Sequence, residues 1–145
     1  MLRIVLAFLL GGFAGGAFNM ALVTVSNTVY PLPAGLDPND FEAFQAHVES
    51  VGLPTGALLL VLLAHAGGSL VSGFVCRLVA MRDCYRTALL LGVFWLCGGV
   101  VMLTLLPAPV WFAVADVLLY VPAALLGVKL CSRLFSGRGA PVASK

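Results

Sequence analysis

The sequence predicts an all-α membrane protein, an antiparallel up-down bundle of four transmembrane helices with a short amphipathic helix in its outer loop. The first observation behind this prediction is composition, since 61% of the 145 residues are hydrophobic and 10% are charged. Soluble domains carry roughly 25% charged residues, so this chain cannot cover a water-facing surface. The second is that the apolar residues form four segments, each long enough for the ~20 residues that cross a bilayer.

The third observation is the distribution of positive charge, which orients these segments. The Lys and Arg residues lie before the first segment, around the link between the second and third, and at the end of the fourth: Arg3, Arg77, Arg82, Arg86, Lys129, Arg133, Arg138 and Lys145. The other two links contain neither residue type. Because Lys and Arg concentrate in cytoplasmic loops, both termini are predicted to be cytoplasmic. At membrane edges these residues contact anionic lipids, and they do not indicate nucleic-acid binding.

We predict one membrane domain over residues 1–135 and a disordered cytoplasmic tail over 136–145. A signal peptide is the alternative for the first segment, since Arg3 and an apolar run precede small residues near Ala17. Apolar character continues to Val29, which favours a true span. The four spans are predicted at about 4–30, 54–80, 87–106 and 110–134.

The long link between the first two spans carries the signals of a short helix. Asp37 suits an N-cap, and Pro38 suits the first helical position. We predict an amphipathic helix over about 38–51 that lies on the outer membrane surface and covers the end of the bundle. Its apolar residues recur at helical spacing: Phe41, Phe44, Val48 and Val51.

Small residues recur four apart on the spans. Membrane helices pack through small residues, because leaving lipid brings no hydrophobic gain. These rows of small residues indicate a compact helix bundle, but they do not identify a partner protein. The helix-packing residues predicted in this way are Gly12, Gly16, Gly68, Ser72 and Gly127.

Polar residues on these faces are the candidate functional residues. Counting the ~1.5 Å rise per residue from the outer end of each span places Asn19, His65, Trp95 and Tyr120 roughly 16 Å deep, near the middle of a ~30 Å core. Asp116 lies one turn nearer the outside. A central Asp costs about 2.5–3.5 kcal/mol on insertion scales, so we expect it to face inward and to be paired or protonated. The available partners are His65, Asn19, Tyr120, Ser26 and Asn27.

Two interpretations of each residue stay open. Asp116 either caps a helix or forms hydrogen bonds to a loop near the interface, or it binds a ligand or carries a proton. His65 either forms an interhelical hydrogen bond or takes part with Asp116 in ligand binding or proton transfer. Asn19 either forms an interhelical hydrogen bond or contacts a ligand. Tyr120 and Trp95 are packing residues or members of the site.

The sequence favours a non-enzymatic protein without metal or cofactor. It contains no Ser/His/Asp spacing, P-loop or HExxH motif. The four cysteines lack zinc-ligand spacing, and a single intramembrane histidine disfavours bis-His haem. His47 with Asp40 or Glu49 has only an unspecific metal-ligand spacing.

Four motifs together carry a resemblance to a known group of proteins. They are Asn19-Met20 after a Gly-rich stretch, YPLPAGLDPND from Tyr30, His65-Ala66-Gly67, and Leu106-Pro107-Ala108-Pro109-Val110-Trp111-Phe112 leading into Asp116. Over most of its length the chain resembles small bacterial four-span membrane proteins that have no established activity. The resemblance implies the same fold and a bacterial inner membrane, and it implies no function.

Three functional hypotheses follow. The first is a small transporter or ligand-binding protein with a mostly polar pocket in the outer half of the bundle. Proton coupling and a homodimer are open alternatives within this hypothesis. The second is a structural or accessory subunit that binds another membrane protein through its glycine faces. The third, ranked last, is a lipid-modifying enzyme that uses Asp116 and His65 as acid and base. Membrane lipids are the partners expected in every case.

Overall fold

The protein is almost entirely helical in a computed structural model that describes residues 1–37, 40–81 and 84–135. Four of its helices are long and apolar enough to cross a membrane, which confirms the all-α, four-span prediction and makes the chain a multi-pass membrane protein. The predicted tail over 136–145 lies outside the described residues. The helices are α1 (Leu2–Val29), α2 (Phe41–Val51), α3 (Thr55–Ala80), α4 (Tyr85–Leu105) and α5 (Val110–Phe135).

The short helix α2 begins later than the sequence suggested. Its N-cap is Asp40, whose Oδ1 accepts a hydrogen bond from the Ala43 amide at 3.1 Å. Asp37 is therefore not the cap, and Pro38 lies outside the described residues. The helix ends at Gly52, whose φ of 78° is in the left-handed region that favours glycine.

Successive spans run in opposite directions, as predicted, but they are not arranged in chain order. Gly11 and Gly15 of α1 lie against Ser72 and Gly68 of α3, so these helices are antiparallel. Helix α3 also packs extensively against α5. There His65 lies beside Asp116, and Arg77 beside Ser132, so α3 and α5 are parallel. Helix α4 packs mainly against α5.

Glycines form the closest helix contacts. A Cβ atom at Gly73 would meet the backbone carbonyl of Ala124, and one at Gly127 would meet that of Leu70. These two glycines therefore let the backbones of α3 and α5 touch. The small-residue faces are thus used inside the bundle.

The glycines of α1 divide between two neighbours. Gly11 and Gly15 approach the backbone of α3, and a Cβ at Gly15 would meet the Ser72 hydroxyl and the Gly68 carbonyl. The predicted packing residues Gly12 and Gly16 lie instead against α4. Their Cβ positions are 3.7 Å from Leu91 and 3.5 Å from Trp95, respectively.

The two ends of the bundle differ in charge. The described Lys and Arg residues lie at one end, called here the basic end: Arg3, Arg77, Arg86, Lys129 and Arg133. Helix α2 and the turn between α4 and α5 lie at the opposite end, called here the α2 end. Large apolar side chains such as Phe13, Leu63 and Leu118 are exposed between the two ends, which suits a lipid environment.

Candidate functional site

A large cavity opens at the α2 end, where the four long helices meet the loop that contains α2. Its volume is about 850 Å³, within the roughly 300–1,000 Å³ range of small-molecule sites. Phe44, His47 and Val48 of α2 form part of its wall. The spacing of these three residues places them on one face of α2. The sequence suggested that α2 covers the bundle, but it did not identify His47 as a lining residue.

The lining of the cavity is mostly apolar, where the sequence had suggested a mostly polar pocket. Residues such as Val23, Leu58, Val61 and Leu103 form its walls. Among the described residues that line it, none is Lys or Arg. The polar lining residues are Asn19, Ser26, Asn27, Tyr30, His47, His65 and Asp116.

Asp116, His65 and Tyr120 form a hydrogen-bonded cluster beside this cavity. His65 Nδ1 lies 2.6 Å from Asp116 Oδ1 and 2.8 Å from the Tyr120 hydroxyl oxygen. The Tyr120 hydroxyl donates to Asp116 Oδ2 at 3.0 Å. Asp116 and Tyr120 are each 1% exposed, whereas the His65 side chain is 21% exposed. The imidazole therefore connects the buried carboxyl to the cavity.

The hydrogen-bond pattern assigns the protons of the cluster when Asp116 is ionised. A carboxylate only accepts, so Nδ1 of His65 carries a proton and donates to Asp116 Oδ1. The single hydroxyl proton of Tyr120 goes to Oδ2, and its oxygen faces the Nδ1–H group. Nε2 of His65 makes no hydrogen bond to a described residue, and it is the nitrogen available to a molecule in the cavity.

The parallel packing of α3 and α5 brings this cluster together. Asp116 and Tyr120 are one turn apart on α5, so both side chains lie on the face that meets α3. Space for the tyrosine ring comes from α4, because a Cβ at Gly99 would meet the Tyr120 hydroxyl. The adjacent Gly98 has no such neighbour within 4 Å. Only the first of these two glycines is therefore required by the cluster.

The remaining predicted site residues, Trp95 and Asn19, make no hydrogen bond to the described residues of the cluster. Trp95 donates from Nε1 to the Ser72 hydroxyl at 2.9 Å, and Ser72 is two helical turns from His65 toward the basic end. Asn19 lines the cavity. Its Oδ1 atom is buried and accepts no hydrogen bond within the described part of the chain, so it is an unsatisfied polar group next to the cavity.

The described residues contain no group of three or more His, Cys, Asp or Glu side chains placed to hold a metal ion. Cys76, Cys84 and Cys131 are buried near the basic end, away from the cavity. The chemistry of the site is therefore that of one carboxyl, one imidazole and one phenol beside an apolar space.

Fold and site together define a multi-pass helical membrane protein with a ligand-sized cavity at one end of its bundle. No protein-family model, curated protein or solved structure shows significant similarity to this chain.

Proposed function

We propose that this protein binds an apolar or amphiphilic small molecule in the cavity at the α2 end, as a small transporter or ligand-binding protein of the membrane. The observation that carries the proposal is an 850 Å³ cavity with apolar walls and one oriented imidazole. Such a combination of apolar walls and few polar groups is typical of ligand pockets. The polar end of the ligand contacts His65, and its apolar part contacts the walls.

The proposal includes an orientation and a location. By the rule that positive charge stays inside, the basic end faces the cytoplasm and the α2 end faces outward, with both termini cytoplasmic. The resemblance to bacterial proteins supports the inner membrane as the location. The ligand then enters from the outer leaflet or from the space outside it.

A lipid-modifying enzyme is a second candidate. The observation that favours it is that the apolar cavity reaches the His65–Asp116 pair, so an acyl chain can lie beside an oriented imidazole, the usual general base. New products after incubation with membrane lipids, lost in His65→Gln, would support this candidate. The accessory-subunit hypothesis is less favoured, because the described glycine faces pack within the bundle.

Filling the cavity tests the binding function. Val61 lines the cavity, whereas Leu63 on the same helix is 55% exposed and does not line it. We expect Val61→Trp to abolish photolabelling of the cavity by a diazirine-bearing alkanol, because the indole occupies the ligand space. Labelled residues are mapped by mass spectrometry, with excess octanol as competitor.

Leu63→Trp is the matched control, and it is expected to label as the wild type does. If octanol fails to compete in the wild type, or if Val61→Trp still labels at cavity residues, the cavity is not a binding site.

A further inference from the structure

We propose that the ligand is a lipophilic amine, bound as an ammonium ion whose N–H group donates to Nε2 of His65. This inference rests on the proposed binding function and adds the chemical class of the ligand. It follows from the charge of the α2 end and from the acceptor that the cluster presents, which are independent features of the structure.

The charge distribution favours a cation. Apart from Asp116, four of the chain's six acidic residues lie in α2 or in the loop before it, and no described Lys or Arg lies at the α2 end. A surface of one sign raises the local concentration of oppositely charged ligands. An anionic ligand would enter against this field and find no cationic side chain among the described lining residues. These four residues are Asp37, Asp40, Glu42 and Glu49.

The cluster presents an acceptor backed by negative charge. Nδ1 of His65 is bonded to Asp116, and in a neutral imidazole with its proton on Nδ1 the lone pair is on Nε2. The carboxylate is buried behind the ring, where water screens it little. A donor that carries a positive charge therefore interacts with Nε2 directly and with Asp116 through space.

Neutral and anionic head groups suit this arrangement less well. An alcohol can donate to Nε2, but it gains nothing from the carboxylate behind the ring. A hydrogen bond that involves an ionised group is roughly twice as strong as a neutral one. A carboxylate head has no proton to donate and would be repelled by Asp116.

Three probes with one chain length and different head groups test the inference. Octylamine, octanol and octanoate are titrated by calorimetry into the full chain in phosphatidylcholine nanodiscs at pH 7, with empty nanodiscs as the blank. We expect octylamine to bind about tenfold more tightly than octanol, from the added charge, and octanoate to bind below detection.

Variants identify the group responsible. Asp116→Asn is expected to erase the preference for octylamine over octanol while octanol still binds, which also shows that this variant is folded. Glu49→Gln removes one negative charge from the same end without touching the cavity, and its octylamine affinity should change less than twofold. If Asp116→Asn does not fold, the wild-type ranking of the three probes decides alone.

The possible failures are distinguishable. Equal binding of octylamine and octanol, or a preference for octanoate, would overturn the amine assignment and leave the binding function intact. A preference for octylamine that survives in Asp116→Asn would also overturn it. If none of the three probes binds, both the binding function and the amine assignment fail.

Discussion

Replacing Gly127 with leucine is expected to separate α3 from α5 and to cause a large loss of stability. A Cβ atom at this position would already meet the Leu70 carbonyl and lie 2.7 Å from the Phe74 amide nitrogen. Both are backbone atoms of α3, so no side-chain rotation can relieve the clash. Overpacking usually costs 1–3 kcal/mol, occasionally more, and we expect about 3 kcal/mol or above here.

The measurement is unfolding in detergent, with Gly98→Leu as the control. Gly98 lies in α4 with no non-neighbouring atom within 4 Å of its Cβ position, so this substitution should be neutral or slightly stabilising through helix propensity. Gly127→Ala should fall between the wild type and Gly127→Leu. Equal stability of Gly127→Leu and the wild type would show that α3 and α5 are not packed backbone to backbone.

The second large effect is a difference in stability between variants of His65 and of Asp116, the two residues of the buried pair. His65→Leu leaves Asp116, which is 1% exposed, with only the Tyr120 hydroxyl as a partner. The Nδ1–H group of His65 is the second donor to this carboxylate, and a buried charged group that loses a hydrogen-bond partner costs about 1–3 kcal/mol or more. We therefore expect His65→Leu to lower the free energy of unfolding by about 3 kcal/mol.

Asp116→Leu should be much milder, at about 1 kcal/mol or less. The Tyr120 hydroxyl lies 2.8 Å from Nδ1 of His65, so it can donate to that nitrogen once the carboxyl is gone. The double variant removes the buried charge as well as its partner, and it should recover most of the stability lost in His65→Leu. A larger cost for Asp116→Leu than for His65→Leu would contradict the hydrogen-bond pattern of the cluster.

The transmembrane helices were predictable because composition and length determine which segments can cross lipid. All four observed helices begin and end within two residues of their predicted bounds. Their partners were not predictable, because every span carries small residues. The sequence cannot say that Gly73 and Gly127 bring α3 and α5 together in parallel.

The candidate site was only partly predictable for a related reason. Counting residues from the end of a span gives depth but not the direction of a side chain or the offset between helices. It therefore placed Trp95 at the level of His65, whereas Trp95 bonds Ser72 two turns away. An inward-facing, paired or protonated Asp116 was expected, but residue type alone could not choose His65 from the five polar side chains available as partners.

The apolar character of the cavity could not be predicted from residue type. On a soluble helix, an apolar stripe marks the buried face. On these spans, side chains that face lipid and side chains that face the cavity are equally apolar, as Leu63 and Val61 illustrate. The N-cap of α2 was placed three residues early because Asp37 and Asp40 both have capping chemistry.

The proposed binding function requires that Asp116 holds His65 with its proton on Nδ1 and with Nε2 open to the cavity. The most direct measurement is nitrogen-15 NMR of the imidazole in a His47→Gln variant labelled at histidine, since the chain has two histidines and His65 alone remains. We expect a protonated Nδ1 and an unprotonated Nε2 whose resonance moves on addition of octylamine. A proton on Nε2, with or without one on Nδ1, would contradict this expectation.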